Sequence, residues 1–486
     1  MQVPQFPTLP LFPSFSVPML PNLTLADDEK NLISRLQAES LRCRPAMELA
    51  EAYYLGEQVI DNLRIAVPAE LEFLRTIVGW GALAVDPYVE RHAIDCFRLA
   101  NGTDADPYLT SLWTGNGLDA ELPLAVTDAL SMGRGWWVVG SPLESGGVPR
   151  ITVESPLNLA AEWDMRGNEP RALFHEYWSN GRRHAALLVP NQTVNLATND
   201  KGEWEIVNRD KHDFGFVPAV RMANNARTND RGGRSAITPA LRSTIDGACR
   251  TLLGLEVARE IYSVPQRIIL GAAESDFQKS DGTPKSAWET YITSVLGLER
   301  DENGDLPDVK QLAAYDPATF TKLIENAASR AASIVLAPPQ EIGLYTQGNP
   351  VSAEAQNTSE SRRNRRARSQ QAMFGVSIVK VMQYAVMFDS RGVLPDQYRS
   401  VAADWASVEE IDFTMAADGI SKLVAAGSIP ATSDVTLKRA GFNAVERARL
   451  TQDRSADDGR QLARALAAGL VPPAQQGASG GNPTGV

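Results

Sequence analysis

The sequence predicts an α+β fold with several long helices, and three features carry that prediction. Thr238-Pro239 and Asp316-Pro317 give the same helix-start signal, a capping side chain followed by proline at the first helical position. Between about Leu130 and Val220 the pattern shortens to β-branched and aromatic runs separated by Gly, Asn and Pro. From Ser352 to about Phe388 the chain reads as one helix, long by globular standards. At 486 residues the chain exceeds what one core usually organises, so several domains are expected.

Taken in order, residues 1–25 carry no charge, and Pro4, Pro7, Pro10, Pro13, Pro18 and Pro21 recur through them. Prolines at that density prevent the helical run of a secretory signal. The segment reads either as a free tail or as an extended arm laying Phe and Leu on a neighbouring subunit. Asp27, Asp28 and Glu29 then suit a helix N-terminus, and Leu32, Ile33, Leu36 and Leu41 form its apolar stripe. Tyr53-Tyr54-Leu55-Gly56 ends that helix, and a second is predicted over Ala69–Ala84. Trp136–Val139, Arg150–Val153, Ala172–Phe174 and Trp204–Val207 read as strands, with the tryptophans as core.

Leu241, Ile245, Leu252, Leu255, Val257 and Ile261 carry a helix from Pro239 to about Tyr262. Its length is ~36 Å at ~1.5 Å per residue. Phe320, Leu323, Ile324, Ala327, Ala331, Ile334 and Val335 give the returning helix an amphipathic face, and Pro338-Pro339 stops it. The two bracket an insert, 263–315, with an acidic patch at Glu299, Asp301, Glu302, Asp305 and Asp308. The simplest geometry sets the rods side by side with the insert at their far end. A loop, Gln340–Val351, leads to the third long helix, whose start carries Arg362, Arg363, Arg365, Arg366 and Arg368. That run reads first as a solvated or ion-paired face, and second as a contact for an acidic neighbour or DNA phosphates. Arg362 and Arg366 share a face, but the run as a whole wraps the helix. A strand at Ser400–Trp405 and helices at 413–426, 433–440 and 444–468 follow. Gly441 suits a helix stop, and Asn443 with Glu446 a capping box. Pro472–Val486 is low in complexity and is expected to be disordered.

Composition and motifs exclude more chemistry than they support. Lys plus Arg is 47 against 59 Asp plus Glu, a net −12, the wrong sign for a free-standing DNA-binding module. No run of about 18 apolar residues lacks charge, which argues against a spanning helix. Cys43, Cys96 and Cys249 read as buried thiols, and His92, His175, His184 and His212 show no metal spacing. No Gly-Lys pair exists to build a phosphate loop. Gly477-Ala478-Ser479-Gly480-Gly481 matches a nucleophile elbow only formally, without the flanking strand and helix. Asp301–Asp305 lacks the glycine placement of a calcium loop, and His175-Glu176 lacks the second histidine of a zinc protease. No catalytic, cofactor or metal site is therefore expected. The rival reading is a soluble hydrolase or transferase using dispersed carboxylates such as Asp164 and Glu176.

A resemblance rests on motifs in order. They are Tyr53-Tyr54-Leu55-Gly56, Phe216-Val217-Pro218-Ala219-Val220, Gly233-Arg234-Ser235, Thr238-Pro239-Ala240-Leu241 and Ile245-Asp246. Val264-Pro265-Gln266-Arg267, Gly348–Ala355, and Asp418 with Lys422 follow. With the order of helices and insert, these span about 30–460 and resemble tailed-bacteriophage portal proteins of the gp6-like siphophage type. The resemblance implies a ring, usually of twelve copies, at one capsid vertex of the virion, assembled in the host cytoplasm. It would conduct double-stranded DNA during packaging and ejection. By that analogy, residues 1–25 are an arm, and 26–230 with the long helix 352–389 form a mixed α/β wing. Residues 231–262 and 317–336 are the stem and 263–316 a small α/β clip. A tunnel loop spans 337–351, and 390–470 hold a wing strand and the helical crown. The tail is 471–486. Implied partners are the terminase large subunit, a head-tail adaptor, the major capsid protein and scaffold, with no membrane. A head-tail connector is the lesser alternative, because those chains are shorter.

Physical chemistry accords with that reading. An acidic ring grips a polyanion weakly, which suits a conduit through which DNA slides. The loop residues Gln340, Tyr345, Thr346, Gln347 and Asn349 are polar and uncharged, with Glu341 the only ion, so weak, sequence-independent DNA contact is expected there. Gly247 and Gly254, seven apart in a helix that disfavours glycine, are expected to pack subunits together with Ile245, Phe320 and Ile324. Arg267, Lys279, Lys285, Glu299, Asp301 and Glu302 are expected to meet clip partners.

Overall fold

Helix ends and strand periodicity set the framework. The computed structural model describes residues 25–59, 75–99, 102, 104–142, 147–164, 166, 169–212, 214–262, 267–270, 283, 308–311, 317–343, 353–409, 413–442 and 444–469. The arm, most of the insert, Asn443 and the tail fall outside them. Helix α1 (Asp27–Leu55) begins where Glu29 accepts the Ala26 backbone N–H at 3.0 Å. It ends at Gly56, whose φ of 75° suits glycine. Ile33 and Leu36 are buried as the spacing predicts, but Leu41 is 70% exposed and lies outside the stripe.

The helix predicted over Ala69–Ala84 is corrected within its described part. Only Ala82–Ala84 forms a short 3-10 turn. A Cβ on Gly81 would sit 2.0 Å from the Tyr53 carbonyl, so the backbone passes the end of α1 too closely for a side chain. Helices α2 (Asp86–Val89), α3 (Pro107–Gly115) and α4 (Leu118–Ser131) follow. They escaped the sequence reading, although Asp106-Pro107 carries a start signal of the kind used for the long rods. The Asp106 carboxylate accepts the Leu109 N–H at 2.8 Å.

Strands β1 (Ile94–Leu99), β2 (Arg134–Gly140), β3 (Arg150–Glu154), β4 (Leu159–Asp164) and β5 (Glu169–Ser179) come next among the strands. They continue with β6 (Arg182–Val189), β7 (Gln192–Thr198), β8 (Trp204–Lys211) and β9 (Ala219–Ala223). An antiparallel meander in the order β4-β5-β6-β7-β8 lies beside a three-stranded sheet in the order β3-β2-β9. Alternation on β2 sends neighbouring tryptophans into different cores. Trp137 enters the main core, while Trp136 packs with Leu159, Leu173 and Val217 between the sheets. Trp178, by contrast, is exposed. On the other face of the meander, Ile33 and Leu36 of α1 meet Phe174, Leu187 and Val194.

The long helices are α5 (Pro239–Tyr262), α6 (Ala318–Val335) and α7 (Ala353–Asp389), close to the bounds expected from their start signals. Strands β10 (Arg267–Leu270) and β11 (Asp308–Gln311) pair between α5 and α6. Phe374, Ile378, Val381, Met382 and Ala385 run the second half of α7 through the main core. The stretch Glu360–Asp389 is long and apolar enough to cross a bilayer by composition, but Phe374, Ile378, Val381, Met382 and Ala385 are buried inside the fold, while Val376 is exposed. Strand β12 (Val401–Trp405) returns to pair with β1, and α8 (Phe413–Ala425), α9 (Asp434–Arg439) and α10 (Ala444–Gly469) complete the described chain.

One packed position is charge-sensitive. Burial pushes the Asp128 carboxyl of α4 up to about 7, and Glu51 of α1 adds repulsion. Its folded pKa lies above the ordinary 3.8, so the stability of the neutral form is complete at acid pH and is lost as pH rises through about 7. Asp128→Asn should therefore raise the melting temperature more at pH 8 than at pH 4. An equal effect at both pH values would contradict this origin.

Candidate functional site: the paired helices and the ion pair behind them

The wall element is built from the start of α5 upward. Thr238 Oγ1 accepts the Leu241 N–H at 3.3 Å. Leu241, Ile245, Ala248, Cys249, Leu253 and Val257 then bury one side of the rod. Helix α6 runs back along it, and buries Ala328, Ala331, Ala332 and Val335. Ala328, Ala331 and Ala332, one helical face at i, i+3 and i+4, let the backbones come close. Gly254 contributes to that approach, because a Cβ there would lie 3.1 Å from Phe320 Cε1 of the same chain.

The expected set of subunit contacts divides on this geometry. Ile245 is fully buried within its own chain, so its packing is internal and its assignment to a neighbour is corrected. Gly254 and Phe320 meet each other across the α5–α6 seam. Ile324 is half-buried, and Gly247 is exposed with open space where a Cβ would stand. Around the pair, three hydrogen bonds tie the rods to the surrounding domain. Tyr53 Oη donates to Asp246 at 2.7 Å, Thr76 Oγ1 to the Cys249 carbonyl at 2.7 Å, and Tyr88 Oη to the Val335 carbonyl at 3.0 Å. Burial and the Asp246 carboxylate push the Tyr53 phenol up to about 12, so it stays a donor across the working pH range.

Helix α6 ends before Pro338-Pro339. Leu336 adopts φ 61° and Ala337 donates to the Ala332 carbonyl at 3.0 Å, so the left-handed cap, not proline, closes the helix. A 3-10 turn over Pro339–Ile342 follows, and it holds Glu341. Glu341, expected as the only ion of the loop, is exposed and carries an ion pair within the chain. Its two carboxylate oxygens are forked by Arg363 Nη1 and Nη2, each at 2.7 Å. The Arg363 side chain is 1% exposed while Glu341 keeps 36%, so the fork is buried on its guanidinium side and ties the 3-10 turn to α7. Tyr345, Thr346, Gln347 and Asn349 lie outside the described residues.

The other arginines of the run have separate surroundings. Arg366 lies 5.2 Å from the Tyr88 ring centre, Arg365 donates to the Ser361 carbonyl, and Arg368 pairs with Glu409 at 2.6 Å. Arg362 is exposed. A wrapped run therefore divides into one buried clamp and several surface contacts, and sequence spacing alone could not single out Arg363. In the insert, β10 and β11 pair Arg267 with Gln311 and Leu270 with Asp308, which brings the two ends of the segment together. Lys279, Lys285, Glu299, Asp301 and Glu302 lie outside the described residues.

The terminal helices are anchored by a cluster the sequence reading missed. Arg447 of α10 is buried and reaches Asp95 at 3.0 Å, Asp434 at 2.7 Å and the Phe442 carbonyl at 2.8 Å. Arg98 and Asp404 bridge β1 to β12 nearby. The only sequence signal was charge dispersed over 352 positions from Asp95 to Arg447.

The dispersed carboxylates of the rival enzyme reading are engaged in ordinary pairs. Asp164 accepts the Arg166 N–H at 3.0 Å and meets Arg171 at 3.6 Å, while Glu176 is held by Arg183 and Gln37. Cys96 and Cys249 are buried, whereas Cys43 is only half-buried and donates to Glu39. Among the described residues no cluster of three His, Cys, Asp or Glu could hold a metal.

The clamp makes an asymmetric prediction. Glu341→Ala strands a buried guanidinium and should cost about 3 kcal/mol, whereas in Arg363→Met the remaining carboxylate can rehydrate. Thermal melting should therefore place Glu341→Ala below Arg363→Met; the reverse order would contradict the burial asymmetry.

Comparison with known proteins adds to this geometry. A family model described as phage portal protein, SPP1 Gp6-like, matches residues 33–440. The portal protein of Mycobacterium phage D29 is 31% identical over 405 residues, covering 82% of each chain. That of Mycobacterium phage L5 is 32% identical over 385 residues, covering 77% of this chain and 78% of the relative. A solved structure titled "Neck of native GTA particle computed with C12 symmetry" aligns at 16% identity and a TM-score of 0.42. That alignment covers 75% of this chain and 89% of the other. A family match over most of the chain, with helices and insert in the order its motifs imply, leads to one conclusion: this chain belongs to the SPP1 Gp6-like phage portal protein family.

Proposed function

We propose that copies of this chain close into a ring, twelve by family analogy, through which double-stranded DNA is packaged and ejected at a capsid vertex. The observation that carries the reading is the α5–α6 pair. Two antiparallel rods lie side by side, and the segment between them returns through paired β10 and β11. In this reading the pair is a wall segment, and the segment between its ends a separate module. In this reading α5 and α6 form the stem and 263–316 the clip that meets the terminase large subunit and head-tail adaptor. The sheets and α7 form the wing, against capsid protein and scaffold, and α8–α10 form the crown. The role is structural, within the virion, and the subunits assemble in the host cytoplasm.

The tunnel loop would use Gln340, Tyr345, Thr346, Gln347 and Asn349 as neutral contacts. Glu341 is exposed but paired with Arg363, which offsets its charge, so the loop offers phosphate little net charge at that ion. Duplex binding by the purified ring is expected to be weak and to change little with salt. Nanomolar affinity with a steep salt slope would overturn this part of the reading.

Gly247 gives the cleaner test of assembly. It is exposed and open, whereas Gly254 is occupied by its own Phe320. Gly247→Leu should leave the monomer's melting temperature nearly unchanged and reduce the ring fraction in mass photometry. Full ring formation by the variant would remove Gly247 from the interface; absence of rings from the unaltered protein would sink the portal-ring reading.

A further inference from the structure

In a chain of net −12, one concave face is densely cationic. Three cavities, of about 280, 510 and 890 Å³, run together around the loop 224–234 and share lining residues. Arg134, Arg221, Arg227, Arg231 and Arg242 line them, along with Arg42 and Arg234, which pair with Glu39 and Asp230, and Asp164, which pairs with Arg171. None of the first five makes an ion pair among the described residues, although elsewhere Arg98, Arg183, Arg209, Arg363 and Arg447 are each matched to a carboxylate.

The cations are crowded and fixed in place. Arg221 stacks 3.6 Å from the Trp163 ring centre, and Arg134 Nε is buried without a hydrogen-bond partner. Burial, with Arg134 and Arg231 nearby, pulls the Arg221 guanidinium down to about 9. The loop presenting Arg227 and Arg231 is held rigidly. Buried Asn224 donates to the Arg234 carbonyl at 2.8 Å and accepts from Gln370 at 3.3 Å. Gly233 sits at φ 87°, where a Cβ would collide with the Gly133 carbonyl. Arg227 and Asp230 close the turn between them through paired backbone bonds. Beside it, Val376 of α7 is 71% exposed, so the face offers an apolar centre with a cationic rim.

We infer that this face is a subunit interface which receives an acidic surface of a second copy of the chain. The inference rests on the ring reading and names where the ring closes. A head-to-tail ring joins two different faces of identical subunits. Concentrating unpaired cations on one face of an acidic chain leaves the remaining surface still more acidic, which is the complementarity such a contact needs. Orphaned guanidinium donors then gain carboxylate partners, and like faces repel, so the contact has a direction.

The test uses the full-length protein. Arg227 and Arg231 are exposed, so the double variant Arg227→Glu/Arg231→Glu should keep the wild-type circular dichroism and melting profile of the subunit. Mass photometry across a sodium chloride series should show wild-type rings loosening as salt rises. The variant should lose at least about tenfold in ring fraction at physiological salt. Should that variant misfold, Arg227→Ala carries the same expectation on a smaller scale. Rings that form equally in wild type and variant, with one salt midpoint, overturn this inference and leave the ring reading standing. No rings from the wild type overturn both. Rings intact in the variant, but with lost binding of a short labelled duplex, overturn it in favour of a nucleic-acid face.

Discussion

The packing of α5 against α6 is the constraint from which the remaining architecture follows. Two rods can lie this close only where their facing residues are small, and α6 supplies alanines while α5 supplies Gly254 opposite Phe320. Once the rods are joined, the segment between them must leave and return at one end, which the β10–β11 pair accomplishes. At the other end the Arg363–Glu341 fork ties the 3-10 turn after α6 to α7. The surrounding domain then holds the pair through Tyr53, Thr76 and Tyr88, each bonded to a group on one of the rods.

Charge is distributed to suit a conduit more than a grip. The acidic excess opposes strong phosphate binding, and within the most prominent basic run Arg363 and Arg368 are paired with carboxylates. Desolvating Arg363 is costly, and its value lies in position: a bidentate pair has one geometry, so the 3-10 turn after α6 is held against α7 in one orientation. The arginines left without carboxylates lie instead on the concave face beside α7, where their charge is available to another surface.

Much of the framework was legible in the sequence because it is written locally. Thr238-Pro239 and Pro239–Tyr262 coincide in sequence and structure, and the long α7 and the strand at Val401–Trp405 follow their local patterns. The second helix failed because its pattern is local while its prohibition is not: Gly81 must pass the Tyr53 carbonyl, a contact visible only after folding. The same limit applies to the site. Glu341 and Arg363 lie 22 positions apart, and Asp95 and Arg447 lie 352 apart, so charge type gave no hint of pairing. The glycine spacing predicts subunit packing at Gly254, whereas Phe320 of the same chain stands against it, a contact that sequence spacing does not reveal.

The most direct test is a cryo-electron microscopy map of the purified assembly, in which each subunit is placed by its α5–α6 rods. The account predicts a hollow annulus whose central wall is made of those rods, repeated around the axis. A solid particle, or an annulus with α5 and α6 buried away from the channel wall, would contradict it.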